Sequence, residues 1–135
     1  MAISRRKFLG NTGKAAFALP VLSLGKASTT GEIEYPFVHQ VYVWLKNPDS
    51  EKDIQALVEG MRKLAAVKTI RQYHIGLPVK SQRDVVDSSY TVSWLVLFEN
   101  KEDQDAYQVD PIHLNFVKEC SPLWNKVVVH DSIRV

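Results

Sequence analysis

Three side chains in this sequence have the types and positions that acid–base chemistry needs: His39, Tyr107 and His113. An imidazole titrates near neutral pH and can take or return a proton, and a phenol can donate a hydrogen bond to a developing oxyanion. Tyr107 and His113 are six positions apart in Tyr107-Gln108-Val109-Asp110-Pro111-Ile112-His113. On an unbroken helix that separation turns them onto different faces. Proline lacks a backbone donor and disfavours helical geometry in the residue before it, so Asp110-Pro111 should bend the helix and let both face the sheet. His39 belongs to the alternate set His39, Val41, Val43 and Leu45, where it is the polar member of an otherwise apolar face. If the helices cover that face, the three side chains line one pocket.

Other reactive side chains carry less. His74 and His130 alternate within presumed strands and should reach an edge or solvent. Cys120 is the sole cysteine, so thiols can build no intrachain disulfide, zinc cluster or iron–sulfur site. Beside Phe116, Val117 and Leu123 it reads as a small buried hydrophobe rather than a nucleophile. Tyr90, Trp94 and Phe98 read as core rather than a cofactor box. With no motif for haem or flavin, no cofactor is expected. No metal is required, though three side chains of this kind could receive one.

The elements that must position the trio follow from periodicity. Phe37 to Leu45 is rich in β-branched and aromatic residues and predicts a first strand, apolar on both faces, with Val38, Gln40, Tyr42 and Trp44 opposite the His39 set. Pro48-Asp49-Ser50 stops it and caps a helix, in which Ile54, Leu57, Val58, Met61, Leu64 and Ala65 fall on one stripe. Gly60 inside that helix suggests a close neighbour. Thr69 to Gly76 predicts a second strand, and a polar loop from Lys80 to Asp87 leads to a third, Tyr90 to Phe98. Asn100 caps a short acidic helix, Lys101 to Val109. A further helical piece runs from about Ile112 to Cys120, and Lys126 to Val135 predicts a fourth strand. The order β-α-β-β-α-β is the ferredoxin-like arrangement: an α+β fold with a four-stranded antiparallel sheet and its helices on one face. The other face is left open and apolar, and packing two such faces together in a homodimer would cover it.

The first residues belong to a separate segment. Ser4-Arg5-Arg6-Lys7-Phe8-Leu9 resembles the twin-arginine export signal of bacteria, with Gly10 where a lysine is usual. An apolar run from Ala15 to Leu24 and the small residues Gly25, Ala27 and Ser28 follow, as in a signal peptide. The run is short and broken by Pro20, so no membrane span is expected. The expected organisation is a leader over 1–27, cleaved after Ala27, a linker over 28–36 and one domain over 37–133. The implied location is periplasmic or otherwise exported, and the implied partner of the leader is the twin-arginine export machinery. Five of the 17 basic residues and none of the acids precede Gly31, which leaves 12 basic against 15 acidic residues, a formal charge of −3. Without a basic patch, nucleic-acid binding has no support.

Three separated blocks resemble the stress-responsive A/B barrel family: Phe37 to Lys46, the Tyr-x-x-Asp-Pro-x-His block at Tyr107 to His113, and Trp124 to Asp131. The resemblance spans about residues 37 to 133, with Asp110 replacing the first histidine of the family's His-Pro-x-His block. It implies a dimeric α/β barrel, two ferredoxin-like units whose sheets face each other. One plant member of the family closes a polyketide by aldol chemistry with a strand histidine and a tyrosine and histidine from the helical block. Carried over, those roles fall on His39, Tyr107 and His113. His113 would be the general base beside a carbonyl, Tyr107 the donor to the enolate oxygen, and His39 the group that orients or polarises a second oxygen.

The reading is therefore an exported homodimer that binds a small apolar molecule, with cofactor-independent cyclase or lyase chemistry as what the resemblance implies. The alternative is a non-catalytic stress-related binding or oligomeric module, since kinship of fold does not transmit chemistry. Haem- or quinone-handling oxidoreductases share the dimeric barrel shape and form a third, weaker reading.

Overall fold

The alternation of β-branched and aromatic residues in Phe37–Leu45 forms β1, one of two central strands in a four-stranded antiparallel sheet. The computed structural model describes residues 30–135, and Glu32–Val135 form one compact unit. The expected leader over 1–27 and its cleavage site lie outside the described residues. Around β1 the chain order is α1 (Glu51–Leu64), β2 (Gln72–Gly76), β3 (Val92–Phe98), α2 (Lys101–Val109), α3 (Pro111–Cys120) and β4 (Trp124–Ile133), with a 3₁₀ turn at Ser121–Leu123. The strands lie in the order β2-β3-β1-β4, which is the ferredoxin-like arrangement expected from the sequence. The two helical pieces expected on either side of Asp110-Pro111 are both present, with the second starting at Pro111 rather than Ile112.

Local chemistry explains the boundaries. Ser50 Oγ accepts the Asp53 N–H at 3.2 Å to cap α1, whose first turn is acidic and last turn basic, as the helix dipole favours. Asn100 Oδ1 accepts the Asp103 N–H at 2.8 Å and starts α2 at the expected residue. Asp110 leaves the helical region with ψ 136° and its carboxylate then caps α3 by accepting the Ile112 N–H at 2.8 Å. Pro111 fills the first helical position, where its missing donor is not needed.

Three strands are offset from expectation. β2 begins at Gln72 rather than Thr69, because Val67 to Ile70 form a turn closed by the Ile70 N–H on the Val67 carbonyl. β3 begins at Val92 because the Thr91 hydroxyl, not its backbone carbonyl, takes the Leu45 N–H at 3.1 Å. β4 begins two residues early at Trp124, which pairs with Leu45 across an irregularity in register, and it ends at Ile133.

The core lies between the sheet and the helices. Val43, Leu45, Val92, Trp94, Val96 and Phe98 from the sheet meet Leu57, Met61 and Leu64 from α1 and Tyr107 from α2. Gly60 has the close neighbour its position suggested: a Cβ there would fall 2.5 Å from Cys120 Sγ on α3. Cys120 itself is buried, as a small hydrophobe would be. The opposite face of the sheet is less uniformly apolar than the strand patterns suggested. Tyr42, Trp44, Leu95 and Val128 occupy it, but Gln40, His74, Lys126 and His130 share it through the same strand register. No helix among the described residues is long and apolar enough to cross a membrane.

Candidate active site between the sheet and the broken helix

The three sequence candidates converge. His39 projects from β1 toward the helices and is 3% exposed; Tyr107 projects from the last turn of α2 and is 1% exposed. The Tyr107 ring lies 5.7 Å from the His39 ring and 4.6 Å from the His113 ring, centroid to centroid. All three line a cavity of about 250 Å³. Its other walls are mostly apolar, with Val41, Met61, Trp94, Phe116 and Trp124 among them, and no Asp, Glu, Lys or Arg lines it.

The break between α2 and α3 does more than turn the chain. In a continuous helix the Gln108 carbonyl would accept the Ile112 N–H. Here that N–H goes to the Asp110 carboxylate, and the freed Gln108 carbonyl lies 3.0 Å from His113 Nδ1. A carbonyl only accepts, so Nδ1 carries the proton and Nε2 presents a lone pair. Burial pulls the His113 pKa below its ordinary 6.5, helped by the charge His39 can carry and opposed by the Gln108 carbonyl and Asp110. His113 is thus a neutral imidazole at neutral pH, the form a general base requires.

Tyr107 is tuned in the opposite sense. Burial raises its pKa from 10.0 to about 12, partly offset by the Trp94 indole, whose Nε1 donates to the phenol oxygen at 3.3 Å. With that acceptor position filled, the phenol keeps its own proton, and no other described side chain takes it. It is a hydrogen-bond donor held at the cavity wall.

Sequence reasoning missed Asp131. It sits directly opposite His39 in the β1–β4 register, and its Oδ1 lies 2.6 Å from His39 Nδ1. The carboxylate accepts, so Nδ1 donates and Nε2 is the free nitrogen of His39. Asp131 is 41% exposed while its partner is buried, so it links the buried ring to solvent. The available signal was an acid continuing the apolar alternation of Val127 and Val129; its pairing with His39 depended on register. Trp94 was read as core and is core, but it also serves Tyr107. His74 and His130 lie away from this cavity, on the opposite face of the sheet and exposed. Among the described residues no three His, Cys, Asp or Glu side chains are grouped to hold a metal ion.

A four-stranded antiparallel sheet with its helices on one face and an apolar, histidine-bearing cavity beneath them defines a small ferredoxin-like α+β protein. The chain belongs to the stress responsive A/B barrel domain family, which matches residues 37–134. Comparison with curated proteins found no match. Among solved structures the chain is similar to an Arabidopsis thaliana protein at 25% identity and TM-score 0.64, covering 74% of this chain and 96% of that one. It is similar in fold to a hydroxynitrile lyase from Passiflora edulis at 20% identity and TM-score 0.65, covering 75% and 94%. A dimeric ferredoxin-like protein of unknown function from Thermobifida fusca matches at 15% identity and TM-score 0.60, covering 73% and 91%.

Proposed function

We propose that this protein is an exported homodimer that binds a small uncharged carbonyl compound in each cavity and catalyses cofactor-independent proton transfer on it, of the cyclase or lyase class. The observation that carries this reading is the convergence of His39, Tyr107 and His113 on one largely apolar cavity, with the free nitrogens of both imidazoles set by their partners. The absence of Lys and Arg from the lining disfavours carboxylate or phosphate ligands, whose charge would be buried unpaired.

His113 Nε2 removes a proton from the carbon next to the carbonyl. Tyr107 O–H donates to the oxygen as it becomes an enolate, in a site where a buried donor counts for more than it would in water. The enolate carbon then attacks a second carbonyl, and His113 gives the proton it took to the oxygen that forms, while His39, its Nδ1–H held by Asp131, uses its free Nε2 to accept from a substrate hydroxyl and orient it. Run in reverse, the same groups cleave a carbon–carbon bond beside a hydroxyl. A fold neighbour that is a hydroxynitrile lyase is consistent with the lyase class. Self-association is supported by the dimeric ferredoxin-like neighbours and by the uncovered sheet face.

Exchange of α-protons tests the chemistry without knowledge of the substrate. In D₂O, wild-type protein should accelerate deuterium uptake into simple aryl methyl ketones or β-diketones, read by NMR. H113A should lower that rate by about 10²- to 10⁴-fold, the usual contribution of a positioned base. Because His113 titrates below 6.5, the rate should climb with pH at acidic values and level off before neutrality. Equal exchange by wild type and by H113A would remove the enzymatic reading and leave a binding module. For export, the protein recovered from the periplasm should begin at Ser28; a product found only at full length in the cytoplasm would refute it.

A further inference from the structure

Trp94 is the one member of the helix-facing set Val92, Trp94, Val96 and Phe98 that carries a polar atom. It sits on the central strand β3, paired with Val41 on β1 and Ile75 on β2, and is 2% exposed. A buried indole N–H costs free energy unless it is paired. The partner it finds is the Tyr107 phenol oxygen, 3.3 Å away, and both rings border the same cavity. The Tyr107 ring is itself packed by three neighbours, its centroid 5.2 Å from that of Phe98, 5.7 Å from His39 and 4.6 Å from His113. Such packing fixes the ring but not the hydroxyl hydrogen, which turns about the C–O bond.

We propose that Trp94 is a positioning residue for the reaction described above, its indole N–H fixing the Tyr107 hydroxyl so that the phenol proton meets the substrate oxygen. The inference rests on that reaction. A donor on one side of the phenol oxygen leaves no room there for the hydroxyl hydrogen and turns it toward the cavity. The bond also polarises the phenol, since a hydroxyl that accepts a hydrogen bond donates a stronger one. Burial raises the Tyr107 pKa to about 12, and the indole acts against that rise, so its loss leaves a weaker acid and a weaker donor. At 3.3 Å the bond is at the long end for N–H···O, and it shortens when the phenol engages a carbonyl. Trp94 is held in turn by the sheet and by the Tyr73 ring, 5.2 Å away between centroids. The donor is therefore carried on a strand rather than a loop, as precise placement requires.

A kinetic and a spectroscopic arm test this, with thermal unfolding to show that each variant folds. W94F and Y107F, singly and combined, are assayed for deuterium exchange into cyclohexyl methyl ketone. W94F should lower kcat by about fivefold, the factor a neutral hydrogen bond supplies, with KM changed by less than about twofold. In the Y107F background the same substitution should change the rate by less than about twofold, because the phenol it serves is gone. A W94F rate equal to wild type overturns the inference. Equal losses in both backgrounds also overturn it, since Trp94 would then act through cavity shape, and they leave Tyr107 its role. Failure of the reaction itself reads differently, as exchange equal in wild type and H113A, and takes this inference with it.

The spectroscopic arm needs no substitution of Trp94. At a ketone concentration that saturates exchange, the proton NMR signal of the Trp94 indole N–H should move downfield in wild type and stay in place in Y107F. The saturated ring of this ketone has no ring current, so such a shift reports the hydrogen bond. A signal that stays in place in wild type, or moves equally in both proteins, overturns the coupling between indole and phenol.

Discussion

Substitution of Tyr107 by Phe isolates one quantity, the free energy of keeping a phenol neutral beneath the helices. The phenol is 1% exposed and its pKa is raised from 10.0 to about 12. In the unfolded chain the same group titrates near 10. A raised folded-state pKa means that stability is fully present below pH 10 and is lost as pH rises toward 12. The total loss is about 2.7 kcal/mol, from 1.36 kcal/mol per pKa unit. At pH 11 roughly half of it, about 1.4 kcal/mol, should be gone, because the unfolded phenol is then mostly ionised and the folded one is not. Other tyrosines and lysines ionise in the same range, so the informative measurement is the difference between wild type and Y107F. Urea unfolding at pH 8 and pH 11, at one fixed protein concentration because a dimer's stability depends on it, gives that difference directly. The wild-type advantage over Y107F should shrink by about 1.4 kcal/mol between the two pH values. An unchanged advantage would mean that water reaches the phenol in the folded protein, and the dry oxyanion donor on which the mechanism rests would be refuted.

Two further perturbations address the supports of the site. Asp131→Asn removes the charge that faces His39 Nδ1; a charge-assisted hydrogen bond contributes about 1.5–3 kcal/mol, and partial exposure of Asp131 reduces this to about 1 kcal/mol. Urea unfolding should show D131N about 1 kcal/mol less stable with the α-proton exchange rate little changed, and unaltered stability would show that His39 needs no partner. Gly60→Ala sets a methyl group against Cys120 Sγ; overpacking costs about 1–3 kcal/mol against a helix-propensity gain of about 1 kcal/mol. Adding Cys120→Ala removes the obstructing sulfur, so thermal unfolding should show the double variant at least about 1 kcal/mol more stable than the two single effects predict; simple additivity would mean that α1 and α3 do not meet there.

Much of this protein is legible in its residues because the signals are local. The caps at Ser50 and Asn100, the helix break at Asp110-Pro111 and the alternation of His39 with Val41, Val43 and Leu45 are each settled within a few residues of chain, by hydrogen bonding, ring geometry and pleat. Those signals place the elements in order, put His39, Tyr107 and His113 on a common side, and suggest the tight contact at Gly60. Strand ends were less legible, since β2, β3 and β4 begin where a turn, a threonine hydroxyl or a register irregularity between distant segments allows.

What only the tertiary structure decided is which groups meet across the sheet and beneath the helices. The register of β1 against β4 sets Asp131, 92 positions away, against His39. Packing of β3 under α2 brings the Trp94 indole to the Tyr107 oxygen. The same registers gather His74, Gln40 and His130 into one row on the far face and dilute what the strand patterns alone read as a greasy surface. Pleat and helical period act on neighbours along the chain and can be read from them. Pairing between remote segments depends on how the whole core closes, and no single stretch of residues contains that information.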